Sequence, residues 1–168
     1  AQALLSEAIN IIDRYFWSEE EGAMRESFSR DWSIEEAYRG ANSNMHATEA
    51  FLALADVTGD SRWLDRALRI VERVIHQHGA SNDYLVIEHF DRHWQPLRDY
   101  NQANPADGFR PFGTTPGHGF EWARLLLHLE AARIRAGLIT PDWLLSDARQ
   151  LFANNCRHAW QVDGAPGL

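Results

Sequence analysis

Pro116-Gly-His-Gly-Phe-Glu-Trp-Ala-Arg-Leu-Leu-Leu-His-Leu-Glu-Ala-Ala-Arg-Ile-Arg135, followed by Ala-Gly-Leu-Ile-Thr-Pro-Asp142, decides the fold class. Apolar residues recur three and four apart, proline opens the run and Gly137 stops it, so a helix is expected over 116–136. Thr140-Pro141-Asp142 places a cap before a proline at the first helical position, which predicts a second helix over 141–157. The pair is a helical hairpin with a short turn, Gly137 to Ile139. Upstream the same design recurs. A helix over 42–57 carries Met45, Phe51, Leu52 and Leu54 in register and ends at Gly59; another, over 61–78, is capped by Asp60 or Ser61 and ends before Gly79. A fifth helix, over 2–16, sets Leu4, Leu5, Ala8, Ile11, Ile12 and Tyr15 on one stripe. The fold class read from this pattern is all-α. Repeated helical hairpins build α/α solenoids or closed α/α toroids, and residues 1–168 are expected to form one partial domain of that kind.

Two excursions interrupt the helices. The first, 18–41, is polar, turns at Glu19-Glu-Glu-Gly22, and has short strands expected around Ala23, Arg25, Ser27 and Phe28. In the second, 80–115, Tyr84-Leu-Val-Ile87 reads as a strand that returns over Phe90 to Leu97 through a turn at Asp91-Arg92. A stretch rich in Asn, Pro, Asp and Gly then runs to Gly113, and irregular segments of such length usually carry function. Both chain ends read as abrupt, with Trp160 to Leu168 looking like the opening of another excursion. Five helices cannot close a ring. The chain is therefore expected to be a segment of a longer protein, or to self-associate through exposed helix edges.

Composition narrows the chemistry. With 45% apolar and 24% charged residues the chain has the makings of a packed core, and a net charge of −8 argues against nucleic acid as partner. All 16 basic residues are arginine, which excludes a Schiff-base lysine and a phosphate-binding loop of the Walker type. The one cysteine, Cys156, cannot form an intramolecular disulfide and fits a reducing compartment. Ala1 to Ser18 lacks the pattern of a signal peptide and no apolar run reaches membrane-spanning length, so a cytoplasmic protein is expected. Seven tryptophans suit either core packing or stacking on sugar rings.

Each hairpin begins with the same four-residue pattern, His46-Ala-Thr-Glu49 and His118-Gly-Phe-Glu121. Positions i and i+3 share a helical face, so each copy presents an imidazole beside a carboxylate. An imidazole in a first helical turn meets the positive end of the helix dipole, which favours its neutral, basic form. The strings around these pairs are similar to those of the N-acylglucosamine 2-epimerase superfamily: Arg39-Gly-Ala-Asn-Ser-Asn-Met-His46-Ala-Thr-Glu49-Ala, Glu88-His-Phe-Asp-Arg-His-Trp94, Asp99-Tyr-Asn101, and Arg110-Pro-Phe-Gly-Thr-Thr-Pro-Gly-His118-Gly-Phe-Glu121-Trp122-Ala-Arg124. The last is the longest and most resembles the aldose–ketose isomerase branch. The resemblance implies an (α/α)6 toroid, a reaction without metal or other cofactor, and a monosaccharide substrate. It also implies that His118 is one of two acid/base histidines, the second lying beyond Leu168.

Moving a proton between two sugar carbons needs a base of near-neutral pKa and a group that stabilises the enediolate. His118 and Glu121 are the catalytic candidates, the histidine exchanging protons and the glutamate bonding hydroxyls or orienting the ring. Helix capping by His118 and dipole compensation by Glu121 are the competing readings. His46, Asn42, Arg110, Glu49, Trp94 and Trp122 are the substrate-binding candidates. For Glu49 a structural role is the stronger reading, and Arg110 has the alternative of pinning its loop through Asp99 or Asp107. His76, His78, His128 and His158 fall late in their helices and are expected to face solvent. Three alternatives stay open: a toroid glycoside hydrolase using Glu49 and Glu121, a non-catalytic sugar-binding segment, and a metal site built from the histidines and glutamates.

Overall fold

The computed structural model describes residues 2–162 and 164, with five helices and two short β-ribbons. Helix α1, Gln2–Ile11, widens into a π-helical turn over Ile12–Phe16. Helix α2 is Ala41–Thr58, α3 is Arg62–Val71, α4 is Pro116–Arg135 and α5 is Trp143–Ala159. Beyond Val71 the third helix continues in π geometry over Glu72–Gly79, so one rod covers the expected 61–78.

The helix ends follow the punctuation of the sequence, with one exception. Gly59 and Gly137 take the left-handed conformation, at φ 70° and 68°, where a side chain would be strained. The Gly59 N–H donates to the Ala55 carbonyl and closes α2. Asp60 supports the start of α3, its carboxylate accepting the Arg62 N–H at 2.9 Å. Thr140 does not cap α5 as expected. Its hydroxyl turns back to the Leu138 carbonyl, and the helix begins two residues later than read, at Trp143 behind Asp142.

The helices pack as two hairpins, α2 on α3 and α4 on α5, and α4 also lies against both α2 and α3. Between them sits a continuous core of Trp63, Trp122, Phe51, Phe90, Met45, Ile70, Ile75, Leu125, Leu126, Leu129 and Leu144. Full burial of each large apolar side chain is worth about 1.5–3 kcal/mol, so this seam outweighs any propensity term. Two buried arginines cross-link it. Arg133 reaches Asp65 on α3 at 2.7 Å and the Ile139 carbonyl; Arg39 forms a two-pronged pair with Glu21 and a third contact with Glu35.

The excursions behave differently from the strand expectation. Trp17–Ser18 (β1) pairs with Ala23–Met24 (β2), and Phe28 bridges Glu35, as the first excursion suggested. The strand expected over Tyr84 to Ile87 does not form, although the chain does turn back after Asp91 and Phe90 bridges Pro96. Asp83 and Tyr84 adopt positive φ, 52° and 57°, which no strand tolerates, and the Tyr84 N–H closes the preceding helix on the Gly79 carbonyl. Instead His89–Asp91 (β4) pairs antiparallel with Tyr38–Gly40 (β3), joining the two excursions to each other. The opening of a further excursion expected over Trp160–Leu168 falls largely outside the described residues. Among the described residues no helix is long and apolar enough to cross a membrane.

Candidate active site

His118 is the third residue of α4, behind Thr115 and Pro116, so it does lie in a first helical turn. Its Nδ1 sits 3.0 Å from both carboxylate oxygens of Glu88, a side chain only 3% exposed. The hydrogen bond that His118 donates to Glu88 raises its pKa above the ordinary value, against the opposing pull of burial, and Glu121 on the next turn adds to the rise. The helix dipole was expected to favour the neutral ring; the nearby buried carboxylate outweighs it.

His46 is placed otherwise. It is the sixth residue of α2, in the second turn, and 59% of its side chain is exposed. Its Nδ1 is 3.9 Å from Glu49, and Glu49 accepts from Arg124 of α4 at 2.8 Å. Arg124 lies one turn beyond Glu121 on α4, so the Arg124–Glu49 pair ties the second motif's helix to the first motif's glutamate. Arg124 beside Glu49 holds that carboxyl below the usual range. In a hydrolase pair such a carboxyl could serve only as the ionised base or nucleophile, not as the acid. Asn42 is half-buried near the start of α2, whereas its neighbour Asn44 is fully buried and pins β2 by accepting the Met24 N–H at 2.8 Å.

Arg110 is committed elsewhere. Its guanidinium forms a two-pronged pair with Glu36, at 2.7 and 3.0 Å, and lies 4.1 Å over the Tyr38 ring. Neither Asp99 nor Asp107 takes the side chain; Asp107 accepts the Arg110 backbone N–H at 2.8 Å. The hydrogen bond to Glu36 raises the Arg110 pKa further and fixes its charge. Next to it the Pro111 carbonyl accepts from Nε2 of buried His89 at 2.8 Å, leaving Nδ1 to take the Tyr38 hydroxyl at 2.7 Å. Thr114 bonds the Val86 carbonyl and the Thr115 N–H reaches Glu88. The Arg-Pro-Phe-Gly lead therefore clamps the long loop onto β3 and β4 just before His118.

Neither tryptophan candidate stands open to a ligand. Trp122 is fully buried in the core, its indole N–H without an acceptor among the described residues. Trp94 is 4% exposed, packs on Phe90 and donates to Glu21 at 2.9 Å. Of the histidines expected to face solvent, His128 and His158 do. His76 is half-buried, stacks on Trp143 and bonds buried Asp147 at 2.8 Å; His78 packs against Phe90, its pKa lowered by burial and by Arg73. Among the described residues no three metal-ligating side chains converge.

The sequence profile of the N-acylglucosamine 2-epimerase (GlcNAc 2-epimerase) family matches residues 1–168. The chain belongs to this family. It is 77% identical over 168 residues to a D-mannose isomerase of Pseudomonas cannabina pv. alisalensis and 48% identical over 168 residues to one of Thermobifida fusca. It spans all of itself in both matches but only 41% and 40% of those relatives' lengths. A crystal structure of D-mannose isomerase superposes over 99% of this chain and 41% of its own, with a TM-score of 0.86 at 34% identity. A cellobiose 2-epimerase from Spirochaeta thermophila DSM 6192 shares the fold at a TM-score of 0.71 and 20% identity, over 92% of this chain and 37% of its own. The helical hairpins are thus part of an α/α toroid, and the chain is a partial segment of it.

The residue missing from the sequence-derived candidates is Glu88. The signal was present: a carboxylate inside the apolar run Leu85-Val-Ile-Glu-His-Phe90 is either surface or buried with a partner, and burial is the rarer and more informative case. What the sequence did not reveal is that its partner would be His118.

Proposed function

We propose that the protein is an aldose–ketose isomerase of the mannose–fructose type, with His118 as one of its acid/base groups. The observation that carries this reading is the 77% identity to a D-mannose isomerase along all 168 residues. The site geometry supports it: an imidazole tied to a carboxylate, with a second carboxylate one turn on and a clamped loop behind it. In the reaction a base removes the proton from C2 of the open-chain aldose and the electrons pass to O1, forming an enediolate. Protonation at C1 and transfer of the O2 proton to O1 then give the ketose, with no net change in oxidation level. His118 delivers the proton to C1 and assists ring opening; Glu121 bonds sugar hydroxyls, and His46, Asn42 and the Arg124–Glu49 pair border the site. The second acid/base histidine is expected outside residues 1–168, so turnover belongs to the full-length protein.

The test is mannose incubated with the full-length protein and chelator, followed for fructose by chromatography, with a parallel reaction in D2O. Fructose carrying solvent deuterium at C1 supports metal-independent proton transfer. No fructose, or full activity retained in His118→Ala, would sink the assignment.

A further inference from the structure

We propose that Glu88 is a positioning residue for this reaction: it holds His118 with a proton on Nδ1, so that Nε2 is the atom that exchanges protons with the sugar. The inference rests on the isomerase reading but its geometric core does not. A carboxylate only accepts, and both Glu88 oxygens lie 3.0 Å from Nδ1, so that nitrogen is the donor and the bare lone pair of the neutral ring belongs to Nε2. Glu88 is itself over-determined. One of its oxygens also accepts the Thr115 N–H at 3.3 Å, at the cap of α4, and its backbone carbonyl accepts the Ala41 N–H at 2.9 Å, at the first residue of α2. The following residue, His89, is held by Gly40 through the β-ribbon and by Tyr38 and Pro111 through its ring. A single buried segment thus registers the starts of the two helices that carry the His-x-x-Glu pairs and orients the imidazole between them. The charged groups acting on His118 are Glu88 from this segment and Glu121 from its own helix, both of which favour its protonated form.

Imidazole-resolved proton–nitrogen NMR on the full-length protein, with the His118 signal assigned by its loss in His118→Ala, reads the tautomer directly. The neutral ring is expected to carry its proton on Nδ1; a proton on Nε2 overturns the proposal without any variant. Glu88→Gln and Glu88→Asp are then compared for mannose isomerisation against pH. The amide can present an N–H to Nδ1 and drive the proton to Nε2, so kcat of Glu88→Gln should fall at least tenfold, towards the ~10⁴-fold known for an equivalent carboxylate-to-amide change beside a catalytic histidine. KM should stay within about twofold and the alkaline limb of the profile, where His118 loses the proton it delivers, should move to lower pH. Glu88→Asp, which keeps the charge, should recover part of kcat and leave the alkaline limb nearer its original place. A folded Glu88→Gln protein with unchanged kcat and alkaline limb refutes the role. If wild-type protein shows the Nδ1 tautomer but makes no fructose, the reaction falls and the positioning of His118 survives.

Discussion

Gly119, the residue after His118, lies so near Asn155 of α5 that no side chain fits between them, and Gly119→Ala tests that contact. A Cβ built on Gly119 would meet Asn155 of α5 at 2.2 Å from Nδ2, 2.3 Å from Cγ and 2.4 Å from Oδ1. No real Cβ tolerates such approaches, so either Asn155 or the α4–α5 spacing must change. Asn155 cannot swing away cheaply. It is 1% exposed and its Nδ2 donates to the Leu151 carbonyl at 2.8 Å. Overpacking in a close-packed interior costs about 1–3 kcal/mol, and a lost buried hydrogen bond adds about 1 kcal/mol. Against this, alanine in a helix gains up to about 1 kcal/mol over glycine. The net expectation is a destabilisation of about 1–3 kcal/mol, read as a lower urea midpoint by tryptophan fluorescence. Because the clash has one named partner, Gly119→Ala in an Asn155→Ala background should lose at least half of that cost. A Gly119→Ala protein as stable as wild type, or a double mutant that merely sums the two single effects, would refute the reasoning.

Three further outcomes follow from the geometry. Asp147→Ala removes the buried acceptor of both the Tyr84 hydroxyl and His76 Nδ1, each at 2.8 Å, and should cost about 2–4 kcal/mol. The Tyr84 phenol, pushed up to about 12 by burial and then by Asp147, should titrate at lower pH in that variant, as followed by ultraviolet difference absorbance. Arg110→Ala breaks the two-pronged pair with Glu36 and should release the 101–113 loop, seen as faster proteolytic cleavage there with a stability loss of about 1–2 kcal/mol. Because the folded-state pKa of His118 is raised, its contribution to stability is full below about 6.5 and is lost as pH rises through the elevated value. Urea midpoints should therefore fall across that window in wild type and fall less in His118→Ala; equal slopes would contradict the assignment.

Periodicity and punctuation alone determined the five helices and the two hairpins, because a long amphipathic repeat bounded by proline and glycine has few other solutions. Helical spacing puts His118 and Glu121 on one face, as it does His46 and Glu49; it was the family resemblance of the longer string that singled out the former pair. The β-structure was less legible. Tyr84 to Ile87 has strand composition, yet Tyr84 serves as a left-handed helix closure, and β4 finds its partner in Tyr38–Gly40, far away in sequence. Partner choice over that separation is a property of packing, not of either segment. The same holds for charge: Arg110 chose Glu36, Arg124 chose Glu49, and Trp94 turned inward to Glu21. Sequence by itself thus determined which helices form and which imidazole begins α4. Only the tertiary structure decided that this imidazole meets Glu88, because a buried carboxylate takes whichever donor the converging helix brings within 3.0 Å.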